Sequence, residues 1–218
     1  MRYAVVQLPG DASAEKADAS KNAAWMQHSA CAYLGLRPAL AQHTGAEHVA
    51  FRKWAGGCKT VVEIGVAEGV SALALREGMT EDGTLYLIDP FHLSRIRALN
   101  FIKRVAERTV NGCSRGKVVW MEEFSQDAVQ VWKEPIDLLL IDGDHAEKAV
   151  EQDWRDWSGF VRPSGAVIFH DARIFQNGWT TPEYGPVKFV DRFFRSGVAT
   201  GWAIAEEIHS LIVVRRTQ

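Results

Sequence analysis

Val61-Val-Glu-Ile-Gly-Val-Ala-Glu-Gly-Val70 reads as a buried strand that ends in a glycine turn and opens a helix. Val61, Val62 and Ile64 supply the β-branched bulk of a strand. Gly65 permits the tight turn, and Gly69 lets backbone approach a ligand with no Cβ in the way. A second strand, Gly83-Thr-Leu-Tyr-Leu-Ile-Asp89, ends in a carboxylate placed to hydrogen-bond the hydroxyls of a ribose. The glycine spacing is Gly65-x-Ala67-x-Gly69, not the G-x-G-x-x-G whose glycines make room for a pyrophosphate. It suits a cofactor that has a ribose and no phosphates.

The rest of the chain extends this unit. From Thr60 onward strand and helix signals alternate, with strands at 60–65, 84–89, 117–121, 136–142 and 165–170 and helical patterns at 70–78, 93–109, 125–133 and 146–160. Such alternation predicts an α/β fold, a doubly wound and mostly parallel sheet with helices on both faces. A further helix, Pro186 to Ser196, precedes two strand-like runs, Trp202 to Glu206 and His209 to Arg215. They are close enough to form a C-terminal antiparallel hairpin, which brings the sheet to seven strands. Residues 1–55 differ: Asp11 to Lys21 is rich in Ala, Ser, Asp and Lys, Ala23 to Leu40 carries Trp25, Met26, Tyr33 and Leu34 at roughly helical spacing, and Ala46 to Trp54 reads as a helix. The expected organisation is a helical N-terminal extension over 1–55 and a cofactor-binding domain over 56–218.

Composition narrows the function class. With 218 residues the chain can bury a sizeable core. Its net charge is −2 and no run of Lys or Arg stands out, which argues against a nucleic-acid partner and for a small molecule. Cys31, Cys58 and Cys113 are odd in number and form no C-x-x-C, as expected for a reducing cytoplasm. The opening residues hold too short an apolar run for a signal peptide, and no stretch approaches the ~20 apolar residues needed to cross a bilayer. The expectation is a cytoplasmic protein with no membrane partner. A homo-oligomer is compatible with everything in the sequence.

A second constellation lies at Ile136-Asp-Leu-Leu-Leu-Ile-Asp-Gly-Asp-His145, an apolar strand whose carboxyl end carries Asp142, Asp144 and His145. One strand later, Ala166-Val-Ile-Phe-His170-Asp171 repeats the arrangement. In open parallel sheets these ends line the ligand crevice, so Asp142 and Asp171 face one cleft. Two carboxylates converging there repel unless a cation or proton lies between them, and hard oxygen ligands favour Mg²⁺ or another small divalent ion.

Together these residues resemble the class I S-adenosylmethionine-dependent methyltransferases. More narrowly, the chain resembles the group of macrocin-type sugar O-methyltransferases and cephalosporin-hydroxylase-like proteins (methyltransferase 24-like). The resemblance rests on Glu63, Gly65, Gly69 and Asp89, on the Asp142-Gly-Asp-His145 strand end, on the Val161-Arg-Pro-Ser-Gly165 turn and on Val167-Ile-Phe-His-Asp171. It implies a Rossmann-like fold, with S-adenosylmethionine held by Glu63, Gly65, Val66, Ala67, Gly69, Ser71, Asp89, Pro90, Ser125 and Asp142. It also implies a divalent metal, Mg²⁺ before Mn²⁺, on Asp142, His170 and Asp171, with His145 as the catalytic base. The activity implied is O-methyl transfer to a hydroxylated small-molecule acceptor such as a sugar, a catechol-like ring or a natural product. Two departures stand out: Ala67 where a third glycine is commonest, and His170 where the sugar enzymes commonly have an acid. Imidazole suits Mg²⁺ less well than Mn²⁺, Fe²⁺ or Zn²⁺.

Other readings of the same residues exist. Asp142-Gly-Asp144 also fits the D-x-D of a metal-dependent glycosyltransferase, and a cofactor pocket without catalysis would make the protein a sensor or scaffold. Asp144 suits a helix N-cap, His145 a backbone-bonded structural role, and Asp153 and Asp156 a solvated helix face. The eight Trp suit core or substrate-facing packing, and Glu123 and Ser125 lie where the family contacts adenine.

Overall fold

The computed structural model describes residues 27–91 and 100–217 together with the backbone of Ala4 and Val5. Seven strands form one sheet: Thr60–Ile64 (β3), Thr84–Ile88 (β4), Lys117–Met121 (β5), Ile136–Ile141 (β6), Val161–Phe169 (β7), Trp202–Ile208 (β8) and Leu211–Arg216 (β9). Their order is β5-β4-β3-β6-β7-β9-β8, parallel from β5 through β7, with β9 antiparallel to both of its neighbours. This is the doubly wound sheet with a C-terminal hairpin that the alternation of signals predicts. Ala4–Val5 (β1) and Leu40–Ala41 (β2) pair separately as a short parallel ribbon.

The chain builds outward from β3 in one direction to β5, then returns to place β6 on the other side of β3, so the switch point lies between β3 and β6. Side-chain alternation covers both faces. Val61, Leu85, Leu87, Leu138, Leu140, Ile168 and Val213 point to one face, where Gly45–Ala55 (α2), Val70–Gly78 (α3) and Phe101–Val110 (α4) contribute Phe51, Leu75, Ile102 and Ala106. Val62, Ile64, Leu139, Ile141, Val167, Phe169 and Val214 point to the other, against Ser125–Ala128 (α5), Glu147–Trp157 (α6) and Gly185–Val190 (α7). Residues 27–33 form one more helix, α1.

Caps fix several boundaries. Thr44 and Glu47 form a reciprocal capping box at α2. The same Glu47, fully buried, accepts from Ser210 N at 2.8 Å and Ser210 Oγ at 2.6 Å, which ties α2 to the β8–β9 turn. Asn100 caps α4 by accepting from Lys103 N, and its Nδ2 donates to Phe91 O at 2.7 Å.

Three sequence expectations need correction. The helix expected at 125–133 is α-helical only to Ala128 and then tightens into a 3₁₀ turn over Val129–Val131. The 161–165 turn is the start of β7: Val161 pairs with Ile136, the register then shifts, and pairing resumes at Ala166–Leu138. Pro163, without an N–H, and Ser164, at φ +66°, keep the intervening residues out of the ladder. Asp144 is not the N-cap of α6. That position is Ala146, and Asp144 instead accepts from Ala146 N at 2.9 Å in a local turn. The helix expected at 93–109 is seen from Phe101, and its first part, like Asp11 to Lys21 with Trp25 and Met26, lies outside the described residues.

Trp157 closes α6 with no exposed surface, packed against Trp132 at 5.3 Å between ring centroids. Its Nε1 is buried and has no hydrogen-bond partner among the described residues. Its contribution is therefore ring volume. Trp157→Ala should cost about 3–5 kcal/mol in urea unfolding, whereas Trp157→Phe should cost no more than about 1.5 kcal/mol.

Candidate active site

The turn after β3 is strained in the way its glycines allow. Gly65 has φ +85° and Gly69, the N-cap of α3, has φ +78°. A Cβ on Gly65 would lie 2.0 Å from the carbonyl oxygen of Asp142, so only glycine fits between β3 and the end of β6. Ala67 adopts φ +48°, so the loop follows a glycine-like path in spite of the substitution.

Asp89, at the end of β4, holds this turn. Its Oδ2 accepts from Val66 N at 2.9 Å and Ala67 N at 3.2 Å, and its Oδ1 accepts from Phe91 N at 2.7 Å. A carboxylate has about four acceptor sites, so one remains for a ligand. Glu63 is fully buried and accepts from Ser71 Oγ; burial first, then the neighbouring Asp142 and Asp89, push its pKa well above the usual carboxylate range. Ser71 lines the cavity and Glu63 stands behind it.

That cavity has a volume of about 800 Å³ and runs along the carboxyl ends of the strands. One part is walled by the Gly65–Gly69 turn with Asp89, Pro90 and Ser125. The other is walled by Asp142, His145, His170 and Asp171. Of the residues that the resemblance assigns to cofactor, metal or base, all except Glu63 line it. Glu123 is exposed and stands outside the wall.

The second part is a buried charge cluster. His170 is 3% exposed, and its Nδ1 lies 3.0 Å from Asp142 Oδ1 and 3.3 Å from Asp171 Oδ1. Burial alone would lower the pKa of His170, but the charges of Asp142 and Asp171 overcome it and push the value up to about 10. Burial likewise works to raise the Asp142 carboxyl, yet His170 and His145 hold it well below the usual range. His145 is 44% exposed, with Nε2 at 3.5 Å from Asp142 Oδ1 and Nδ1 at 3.7 Å from Asp171 Oδ2. Desolvation opposes its protonation, and Asp142 and then Asp171 raise its pKa on balance. Its loop is pinned because Gly185 abuts it: a Cβ there would lie 2.3 Å from His145 O. Among the described residues, no group of three or more His, Cys, Asp and Glu is arranged to hold a metal ion.

Several participants are not evident from the sequence. Trp179 Nε1 donates to Asp171 Oδ1 at 2.7 Å, and the ring of Tyr184 lies 6.2 Å from that of His145. Asp153, expected on a solvated face, is 6% exposed, lines the cavity and accepts from Ser125 Oγ. Burial, with Asp156 and Asp144 nearby, pushes its pKa up to about 6. The signal was available: Asp153 falls in register with the buried Val150, Trp154 and Trp157 along α6. Glu68, inside the glycine turn, is 1% exposed; its Oε1 accepts from Ser29 Oγ at 2.5 Å and its Oε2 from Leu40 N at 2.6 Å.

His43 also lines the cavity, 5% exposed, with Nε2 3.1 Å from His48 Nδ1. Burial, then the charges of His170 and His48, lower its pKa to about 3. A histidine whose folded pKa lies below its unfolded value of about 6.5 makes folding less favourable as pH falls, because the unfolded chain takes up a proton that the folded chain refuses. The melting temperature of the parent should therefore fall more steeply between about pH 6.5 and pH 4 than that of His43→Gln, as followed by circular dichroism.

Residues 62–172 match the model of a family described as a methyltransferase domain. A Mycobacterium protein (strain JLS), provisionally named an O-methyltransferase, is 36% identical over 118 residues, which is 53% of this chain and 50% of that protein. The chain thus spans about half the length of such curated relatives. Among solved structures, the O-methyltransferase TomG of Streptomyces achromogenes, which acts in tomaymycin synthesis and was solved with S-adenosylmethionine, superposes with a TM-score of 0.63 at 15% identity, covering 89% of this chain and 90% of that one. An O-methyltransferase of Bacillus cereus in complex with S-adenosylhomocysteine gives 0.59 at 17% identity, over 97% and 93%. At these identities the likeness is one of fold.

Proposed function

Because the chain belongs to the methyltransferase-domain family matched by residues 62–172, we propose that it transfers the methyl group of S-adenosylmethionine to a hydroxyl oxygen of a small molecule. The observation that carries this reading is the single cavity joining the Gly65–Gly69 turn to the Asp142, His145 and Asp171 cluster. Its volume falls in the range of sites that enclose a cofactor-sized molecule. In this reading the turn holds the methionine end, the free acceptor site of Asp89 takes a ribose hydroxyl, and Ser125 with Asp153 faces the adenine. The acceptor lies beside Trp179, Tyr184 and His43. The free thiols of Cys31, Cys58 and Cys113 accord with a reducing compartment.

When bound, the cofactor supplies a methyl group on a positively charged sulfur, so that an acceptor oxygen takes the methyl, sulfur keeps the bonding electron pair, and the hydroxyl proton must go elsewhere. His145 is the group positioned to receive it: partly exposed within the cavity wall, on a loop pinned by Gly185, and flanked by two carboxylates that stabilise the imidazolium formed. The remaining contribution is orientation, since the wall fixes acceptor and donor relative to one another. The divalent ion implied by the family resemblance is left out of this scheme: among the described residues no three such side chains are arranged to hold one. The D-x-D alternative finds no support: Asp142 turns to the two histidines while Asp144 closes a turn on Ala146 N.

Two measurements test the reading. Asp89→Ala should weaken S-adenosylhomocysteine binding roughly ten- to hundredfold in calorimetric titration, since it removes a ribose acceptor and frees the turn; equal affinity would sink the assignment. His145→Ala should lose on the order of 10²- to 10⁴-fold in turnover with cofactor affinity nearly unchanged. In the parent the rate should rise with pH through a value above the ordinary ~6.5 of histidine, and the variant should lack that limb. A variant that melts well below the parent yet turns over normally would make His145 structural.

A further inference from the structure

The two carboxylates at the tips of β6 and β7 already have a partner, and it is a side chain. Asp142 follows directly on β6 and Asp171 stands two residues beyond Phe169, the last of β7. Brought together by the parallel pairing of Ile141 with Phe169, they must meet a positive group or a proton to be stable side by side. His170 is inserted between them, with its backbone N–H fixed to Ile141 O at 3.1 Å. Its buried ring presents Nδ1 at 3.0 Å to one carboxylate and 3.3 Å to the other. His145 approaches the same pair from the cavity, and Trp179 Nε1 takes a lone pair of Asp171 Oδ1 at 2.7 Å.

One oxygen of each carboxylate is thus engaged: Trp179 Nε1 donates to Asp171 Oδ1, and Asp142 Oδ1 faces both imidazoles at ion-pair distance, although neither ring nitrogen of His170 makes a hydrogen bond among the described residues. A magnesium ion requires near-octahedral oxygen ligands at about 2.0–2.1 Å, and a third acid where His170 stands would help to supply them. An imidazole at that place occupies the space itself. We propose that the His170 ring stands where a divalent ion would otherwise sit, bridging Asp142 and Asp171, so that this chain's methyl transfer runs without a metal. The inference rests on the methyl-transfer reading for the reaction, but its content is the occupancy of one position.

Ion binding can be read without turnover. The full chain, with S-adenosylhomocysteine present, is titrated with Mn²⁺ while the free ion is followed by electron paramagnetic resonance. The parent should show no stoichiometric site below about 1 mM, whereas His170→Asp, which removes the ring and supplies a third carboxylate, should bind one ion per chain at least about tenfold more tightly. Circular dichroism confirms that the variant folds, and His170→Glu replaces it if it does not. With any accepted acceptor, parental activity should withstand exhaustive chelation. One tightly bound Mn²⁺ per parent chain, lost in Asp142→Asn, overturns the proposal, as does a folded acidic variant that gains no ion. Titration of the same samples with S-adenosylhomocysteine separates the two readings: failure to bind it counts against methyl transfer and leaves the ion result intact.

Discussion

The structure turns on one close approach, that of the Gly65 backbone to the carbonyl of Asp142. Ile64 and Ile141 pair across β3 and β6, Asp142 N donates to Ile64 O at 2.9 Å, and Gly65 N donates the other way, to Ile88 O, also at 2.9 Å. β4, β3 and β6 therefore end in a continuous row of backbone bonds, with no room for a side chain at Gly65. Two turns from distant parts of the sequence leave the sheet side by side as a result. One carries the glycines and the other the acid and histidine. The cavity is the space these turns leave at the switch point, which is why a single cleft contains both the Gly65–Gly69 turn and the cluster of Asp142, His145, His170 and Asp171.

Much of this was legible in the sequence, for physical reasons. Strands buried on both faces read as continuous apolar runs, as Leu138 to Ile141 and Ala166 to Phe169 do, and polar residues just past such runs fall at the crevice by topology alone. That rule located Asp142, His145, His170 and Asp171. The features that escaped depend on partners far away in the chain. Asp153 looks like any helix acid until Ser125 is placed against it, and nothing near His170 tells that its ring lies between two carboxylates and not beside them. The bulge before Ala166 escaped because it is a mismatch between two strands, which neither strand shows by itself.

The electrostatics of the cleft follow from this crowding. Glu63, Asp89, Asp142 and Asp171 converge within one low-dielectric region, and the chain manages their charge in different ways. Asp89 is solvated by three backbone N–H groups, Asp142 and Asp171 by imidazoles, and Glu63, with only Ser71 as a donor, shifts toward its neutral form. Burial thus works against the charged form of Glu63, while the imidazoles of His170 and His145 favour the charged form of Asp142 at the cavity wall.

Glu68 gives the N-terminal segment a place in this economy. It belongs to the glycine turn, yet both of its oxygens are spent on Ser29 and Leu40, and Leu40, Ala41, Gln42 and His43 run along the cavity. Whatever restrains the turn restrains residues 29–41 through the same carboxylate. Linkage makes the effect reciprocal: free energy gained by ordering the segment returns as affinity at the turn, and the reverse. The segment is therefore coupled to the glycine turn through one buried carboxylate and forms part of the same cavity wall.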